Sequence, residues 1–226
     1  MKLILILILT FLSFHILAKS ALIVVDMQKC FIPGSDQNIH SLPVSGGEHL
    51  APLINKIMHK FDLVVATKDW HPSDHISFAS NHKGKKPFEL ISLGKNYQQM
   101  LWPDHCVQNT TGAEFVSDLN IKKIQKTIIK GTNPKIDSYS GFFDNKKLNS
   151  TELDSYLKKN DIKKVYVVGL AADYCVKDTA IDAKELGYET YYIRDLTRAV
   201  DPSGLNEIYS TLEKKNISVI ESKSME

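Results

Sequence analysis

The chain is poor in cysteine, with three in 226 residues. That excludes the disulfide framework that holds many small secreted domains together. One pair is arithmetically open and would leave one thiol over. An excess of charge of either sign is also missing: 28 lysines and arginines stand against 26 aspartates and glutamates. A formal charge of +2 gives no electrostatic basis for nucleic acid as a partner. The lysines between Lys122 and Lys164 lack aromatic interleaving and read as a solvated face. Internal repeats and low-complexity linkers are absent. At 43% hydrophobic and 24% charged, the composition is that of an ordinary globular chain, which excludes disorder, collagen-like repeats and a coiled coil. The length suits one domain, at ~100–200 residues per domain.

A long apolar run occurs at the amino terminus. Lys2 is the only charge before a run that reaches Leu17, and the small residues Ala18 and Ser20 follow. This is the layout of a secretory signal peptide. The run falls somewhat short of the ~20 apolar residues of a membrane span. Residues 1–20 are therefore expected to be a signal peptide or N-terminal anchor, and residues 21–226 the folded domain. The expected location is exported, in the periplasm; it is cytoplasmic if the segment is not a working signal. Membrane association is expected only if the leader stays attached. Removing residues 1–20 takes Lys2 and Lys19 and leaves 26 charges of each sign. A cut after Ser20 leaves no spare residue before the first strand, and a cut after Ala18 is the other option.

The rest alternates strand and helix. Residues 21–25 (ALIVV) form a continuous apolar run, as in a strand buried on both faces. Residues 63–66, 127–129, 165–168, 190–193 and 217–220 read the same way. Between them lie helical patterns at 49–60, around Leu153 and Leu157 with Ser150 or Thr151 as cap, at 173–186 before Gly187, and at 206–215. The fold class is α/β, a parallel sheet with helices on both faces. Residues 70–112 carry little periodicity and much His, Pro, Gly and Asn. A stretch of that kind inside a compact domain is usually functional.

In open parallel sheets the site lies outside the carboxyl ends of the strands. Asp26 follows the first apolar run, Asp69 and His71 the second, Lys130 the third, and the segment 169–175 (GLAADYC) the fourth. An acid, a lysine and a cysteine thus converge on one edge. Taken singly, each has a plain reading: a turn cap, a surface lysine, a buried inert thiol. Cys175 lies after a glycine-bearing loop in the first turn of a helix, where unpaired N–H groups favour the thiolate. Asp26 is placed to take its proton, and Lys130 to keep Asp26 ionised. Backbone N–H groups of Ala171 and Cys175 are candidates for an oxyanion hole. Asp69 and His71, two apart on a strand end, point to one side and suit a metal together with His105. Zinc, manganese and iron(II) fit such donors. His75 is a further candidate and Cys106 an alternative ligand. His40, His49, His59 and His82 show no ligand spacing and read as surface residues.

Six blocks resemble one known family: 26–31 (DMQKCF), 67–72 (TKDWHP), 102–107 (WPDHCV), Lys130-Gly131, 137–142 (DSYSGF) and 169–176 (GLAADYCV). In this order they look like the nicotinamidases of the isochorismatase-like cysteine hydrolases, and the resemblance spans about residues 21–221. It implies a three-layer α/β/α domain and hydrolysis of nicotinamide to nicotinate and ammonia, in NAD salvage. It implies Cys175 as nucleophile, Asp26 as general base and Lys130 as third catalytic residue. It further implies a cis peptide before Ala171, one divalent metal on Asp69, His71 and His105, and Phe31, Trp102 and Tyr139 around the pyridine ring. His75 matches a position that binds metal in some relatives only. Homo-oligomerisation is compatible with the sequence but not specified by it. Two features depart from the family. Cys30 stands where relatives usually carry an acid, and most relatives lack the leader. In an oxidising compartment a Cys30–Cys175 pair is conceivable. The alternatives are a related cysteine amidohydrolase acting on another small amide or carbamoyl compound, a non-catalytic envelope metal-binding protein, and a thiol redox protein. The last lacks a Cys-x-x-Cys motif.

Overall fold

The computed structural model describes residues 18–34, 41–94 and 97–225. The leader expected at residues 1–20 therefore lies largely outside the described residues, as does His40. A six-stranded parallel sheet forms the centre. It is built from β1 (Ser20–Val25), β2 (Leu63–Asp69), β5 (Lys126–Lys130), β6 (Lys164–Leu170), β7 (Glu189–Arg198) and β8 (Ser218–Ile220), in the order β5-β2-β1-β6-β7-β8. The fold begins slightly before residue 21. Ser20 is already paired with Lys164, and the Lys19 carbonyl accepts the N–H groups of Lys163 and Lys164.

Burial on both faces explains the continuous apolar runs. Within β1, Ala21, Ile23 and Val25 pack into one core with residues of α2 (Leu153–Lys159), α3 (Lys177–Glu185) and α4 (Leu205–Lys214). Leu22 and Val24 face the other core, with α1 (Leu50–Ile57) and the loops around Phe31, Leu42 and Trp102. This is the expected three-layer arrangement. Thr151 accepts the Leu153 N–H at the start of α2, and Gly187 takes φ +95° after α3. Residues 172–176 form a π-helical turn before α3, where a continuous α-helix was expected. The stretch 70–112 contains one unforeseen antiparallel pair, β3 (Leu90–Ser92) with β4 (Gln98–Met100). Its three-residue strands are too short and too polar to show period-two patterning.

Gly169 fixes how β6 leaves the sheet beside β1. Its φ is +109°, and a Cβ there would lie 2.1 Å from the Val25 carbonyl oxygen. No side chain tolerates either condition. Gly169→Ala is expected to destabilise the protein by more than about 3 kcal/mol, measured by urea unfolding. A loss under about 1 kcal/mol would show that the β1–β6 junction yields.

Candidate active site

Four strand ends deliver the reactive side chains. Lys130 ends β5, Asp69 ends β2, Asp26 follows β1, and Cys175 sits in the π-helical turn after β6. The β2–β5 register sets Asp69 opposite Lys130. Lys130 Nζ donates to Asp69 Oδ1 at 2.5 Å and to the Ser138 carbonyl at 3.0 Å. It stands 3.4 Å from Cys175 Sγ. Asp26 Oδ2 lies 2.9 Å from Nζ, as an ion pair off the line of a hydrogen bond. Asp26 Oδ1 accepts from Thr67 Oγ1 at 2.6 Å, and Thr67 Oγ1 accepts the Asp26 N–H. Asp26, Asp69 and Cys175 each bring one donor atom within 4.8 Å of the others. All four side chains are buried.

Burial sets the electrostatics. It raises Asp26 to about 6, against the pull of Lys130. Burial acts the same way on Asp69, but there Lys130, His71 and His105 outweigh it and hold the carboxyl well below its ordinary range. Lys130 is pushed well above an ordinary lysine, because Asp26 and Asp69 outweigh its own burial. Burial pushes the Cys175 thiol well above the ordinary thiol range, with Lys130 only partly offsetting it. Burial thus opposes the preference for the thiolate expected at the helix start, in keeping with the expected need for a base to take the proton.

The second cluster adjoins the first. His71 Nε2 lies 3.5 Å and His105 Nε2 4.0 Å from Asp69 Oδ2. His71 Nδ1 donates to the Gly131 carbonyl at 2.9 Å, and His105 Nδ1 donates to the Pro103 carbonyl at 2.8 Å. With Nδ1 so engaged, each Nε2 is the ring nitrogen left for a metal, and one donor atom each of Asp69, His71 and His105 lie within 4.8 Å of one another; without a metal the Asp69 carboxylate outweighs burial and raises His71. Asp26 and Asp69 against Lys130 also leave a buried net negative charge, which a divalent cation offsets. Burial lowers His105 to about 4, which keeps it in the neutral, ligating form. His75 packs its ring 4.2 Å from that of His71. Its Nε2 is buried with no hydrogen-bond partner among the described residues, and it forms a second donor set with His71 and Asp137. The residues present fit a divalent metal.

One cleft joins the two clusters. It is lined by Cys175, Asp69, His71 and His105 together with Phe31, Trp102, Tyr139 and Ala171, all anticipated from the sequence. The Leu170–Ala171 peptide is cis, as the resemblance implied. Sequence reasoning missed Tyr174, whose ring meets Trp102 at 4.8 Å and 90°, and Leu42. It also missed Asp137, which accepts from Gln99 Nε2 and the Ser138 N–H, and Gln28, which clasps the backbone N–H and carbonyl of Asp69. Both Asp137 and Gln28 stood inside the blocks that carried the resemblance, which was the available signal. The structure overturns two expectations about cysteine. Cys30 is bonded to Cys106 across 76 residues, and Cys175 is free. The Cys30–Cys175 pair is excluded by that bond, and so is Cys106 as a metal ligand.

Comparison with known proteins agrees with this geometry. The Isochorismatase domain model matches residues 20–224. The chain belongs to the isochorismatase family. It is 47% identical over 184 residues to a nicotinamidase of Acinetobacter baylyi, covering 81% of this chain and 83% of that one. A solved nicotinamidase and pyrazinamidase of Acinetobacter baumanii superposes with a TM-score of 0.86 at 43% identity, covering 92% and 99% of the two chains. A Pyrococcus horikoshii pyrazinamidase solved with zinc gives a TM-score of 0.71 at 37% identity, covering 90% and 99%. Within the isochorismatase family the chain groups with the nicotinamidases, and it is an amidohydrolase.

Gly131 couples the two clusters. At φ +66° it follows Lys130, and an added Cβ would lie 2.4 Å from His71 Cε1. Gly131→Ala is expected to weaken zinc binding by roughly 10–100-fold, the range for disturbed supporting contacts. Competition with a chromogenic chelator measures it, and unchanged affinity would remove the coupling.

Proposed function

We propose that the chain hydrolyses nicotinamide to nicotinate and ammonia through a thioester on Cys175. The observation that carries this reading is the shared cleft. A free thiol, a metal-type donor set and an aromatic wall line one cleft, and the buried Asp26 lies behind it, 2.9 Å from the Lys130 ammonium that stands 3.4 Å from the thiol. Aromatic faces suit a flat pyridine ring.

At rest Asp26 is a carboxylate and Cys175 a thiol. As Sγ attacks the amide carbon, its proton passes to Asp26 and the S–C bond forms. The oxyanion takes hydrogen bonds from the Ala171 and Cys175 N–H groups. When the C–N bond breaks, Asp26 returns the proton to the leaving nitrogen, and ammonia departs. Asp26 then takes a proton from water, the hydroxyl oxygen attacks the thioester, and the S–C bond breaks. The sulfur recovers its proton from Asp26. Lys130 stays charged throughout, keeping Asp26 available as a base and offsetting negative charge at sulfur. Asp69, His71 and His105 would hold the metal; His75 belongs to the separate set with His71 and Asp137. Bound by the first set, the metal would supply Lewis acidity toward a pyridine substrate. Zinc is the ion proposed, with manganese or iron as substitutes.

We further read the chain as exported and active in NAD salvage outside the cytoplasm. The apolar leader supports this. A cut after Ala18 would keep Lys19, whose carbonyl is tied to β6.

Zinc-loaded protein given nicotinamide is expected to release ammonia and nicotinate in equal amounts, and Cys175→Ala to release neither. Pyrazinamide, which keeps the ring nitrogen and carboxamide, should also react. Turnover of other small amides but not of these two would replace the substrate and keep the thiol chemistry. The pH profile tests the base. Asp26 works only when ionised, so kcat/KM should be level above about 6 and fall about tenfold per pH unit below it. An acid limb centred near 4 would assign the base elsewhere.

A further inference from the structure

We infer that the Cys30–Cys106 disulfide is a positioning element of the active site, joining the aromatic wall of the pocket to the metal-binding loop. Each half-cystine is a hub. Cys30 precedes Phe31, whose ring lies 5.5 Å from that of His105. The Cys30 carbonyl also accepts the Leu42 N–H, and Leu42 lines the cleft. Cys106 follows His105 directly, and its carbonyl accepts the His71 N–H at 3.1 Å. One sulfur–sulfur bond therefore links two pocket residues to two metal-type histidines.

Among the described residues no regular strand or helix joins these two segments; a single bridge, His71 with Val107, ties the His105 loop to the end of β2 but not to Phe31. Phe31 stands in a three-residue 3₁₀ turn, and His105 and Cys106 stand in loop. Loops carry more freedom than the elements they connect. Both half-cystines are fully buried, so the bond lies inside the fold and not on an exposed edge. Its position differs from that of a staple between termini or domains. It should therefore act on metal retention and ring binding, with little effect on the acid–base step at Asp26, Lys130 and Cys175.

The inference rests on the metal and substrate reading proposed above, and its test keeps the two apart. Thiol alkylation and intact mass should show one free thiol in the native protein and three after denaturing reduction. The single variants Cys30→Ala and Cys106→Ala and the double variant are then compared with the wild type under non-denaturing conditions. In all three variants zinc transfer to a chelator should quicken at least about tenfold. KM for nicotinamide should rise while kcat changes by less than about threefold, the pattern of lost ground-state and transition-state binding alike. Because either substitution removes the same bond, the double variant should match the singles. Additive losses in the singles would indicate ordinary packing and overturn the proposal. So would unchanged zinc transfer and KM with only a lower Tm, or three free thiols in the native protein. If the variants do not fold, wild type prepared without the bond in a reducing cytosol gives the same comparison. Nicotinamide turnover by oxidised wild type is a separate readout. Its absence sinks the substrate reading and leaves the zinc comparison standing.

Discussion

A buried ammonium sets the terms for the rest of this structure. Lys130 Nζ lies within 2.5 Å of Asp69, 2.9 Å of Asp26 and 3.4 Å of Cys175, with no solvent to share the load. Burying a charge costs several kcal/mol unless close partners repay it. The partners must therefore come from neighbouring strands and arrive within hydrogen-bond reach. The strand order provides this. Across β5-β2-β1-β6 the strand ends present Lys130, Asp69, Asp26 and Cys175 in that spatial sequence. One cation cannot serve both carboxylates equally. Asp69 takes the well-aligned bond and the histidines, and stays ionised. Asp26 is left with a misaligned contact and a pKa raised to about 6. Two aspartates beside one lysine thus acquire different electrostatics through environment alone, which suits Asp69 to the proposed metal and Asp26 to the proposed proton transfer.

Much of this was legible in the sequence because parallel sheets write themselves plainly. Apolar runs marked the buried strands, and the polar residue after each run marked the site edge. The two-sided burial of β1, with odd residues on one core and even residues on the other, left no alternation to misread. What escaped lay where periodicity has nothing to say. The β3–β4 hairpin is three residues per strand. The π-helical turn at 172–176 differs from an α-helix by hydrogen-bond partner, not by composition. The thiol's raised pKa depends on burial, which a sequence position near a helix start does not reveal. Gln28, Gln99 and Asp137 act through partners tens of residues away, so their roles appeared only with coordinates.

The pocket owes its shape to groups that hold other groups. Gln28 grips both backbone atoms of Asp69, and Gly131 gives His71 its hydrogen-bond acceptor while leaving room for the ring. Trp102, Tyr139 and Tyr174 meet edge to face, so each ring is oriented by the next. The Trp102 indole N–H donates to the Tyr139 hydroxyl, satisfying a polar atom that would otherwise face an apolar wall. Such a wall can select a flat ring, but it holds no charge to select a substituent. Choice of the carboxamide then falls to the thiol, the backbone N–H groups and the metal-type residues on the facing side.

Two features that looked unrelated in the sequence belong together. Cys30 stands where the resemblance expects an acid, and an apolar run that we read as a leader precedes the domain. A thiol cannot offer a carboxylate's hydrogen bonds, so Cys30 by itself weakens the support of Phe31. Bonded to Cys106, it supplies a covalent support in place of a polar one. That exchange works only where disulfides persist, which is outside the reducing cytosol. Closing a loop of 76 residues also narrows the unfolded ensemble, by about 4–5 kcal/mol in the chain-entropy model. A bond between distant surface loops would give a similar global gain. The placement here, one residue from Phe31 and one from His105, is what general stabilisation does not require. It also spares Cys175, because the two other cysteines are consumed by each other and the nucleophile is left without a disulfide partner in the same chain.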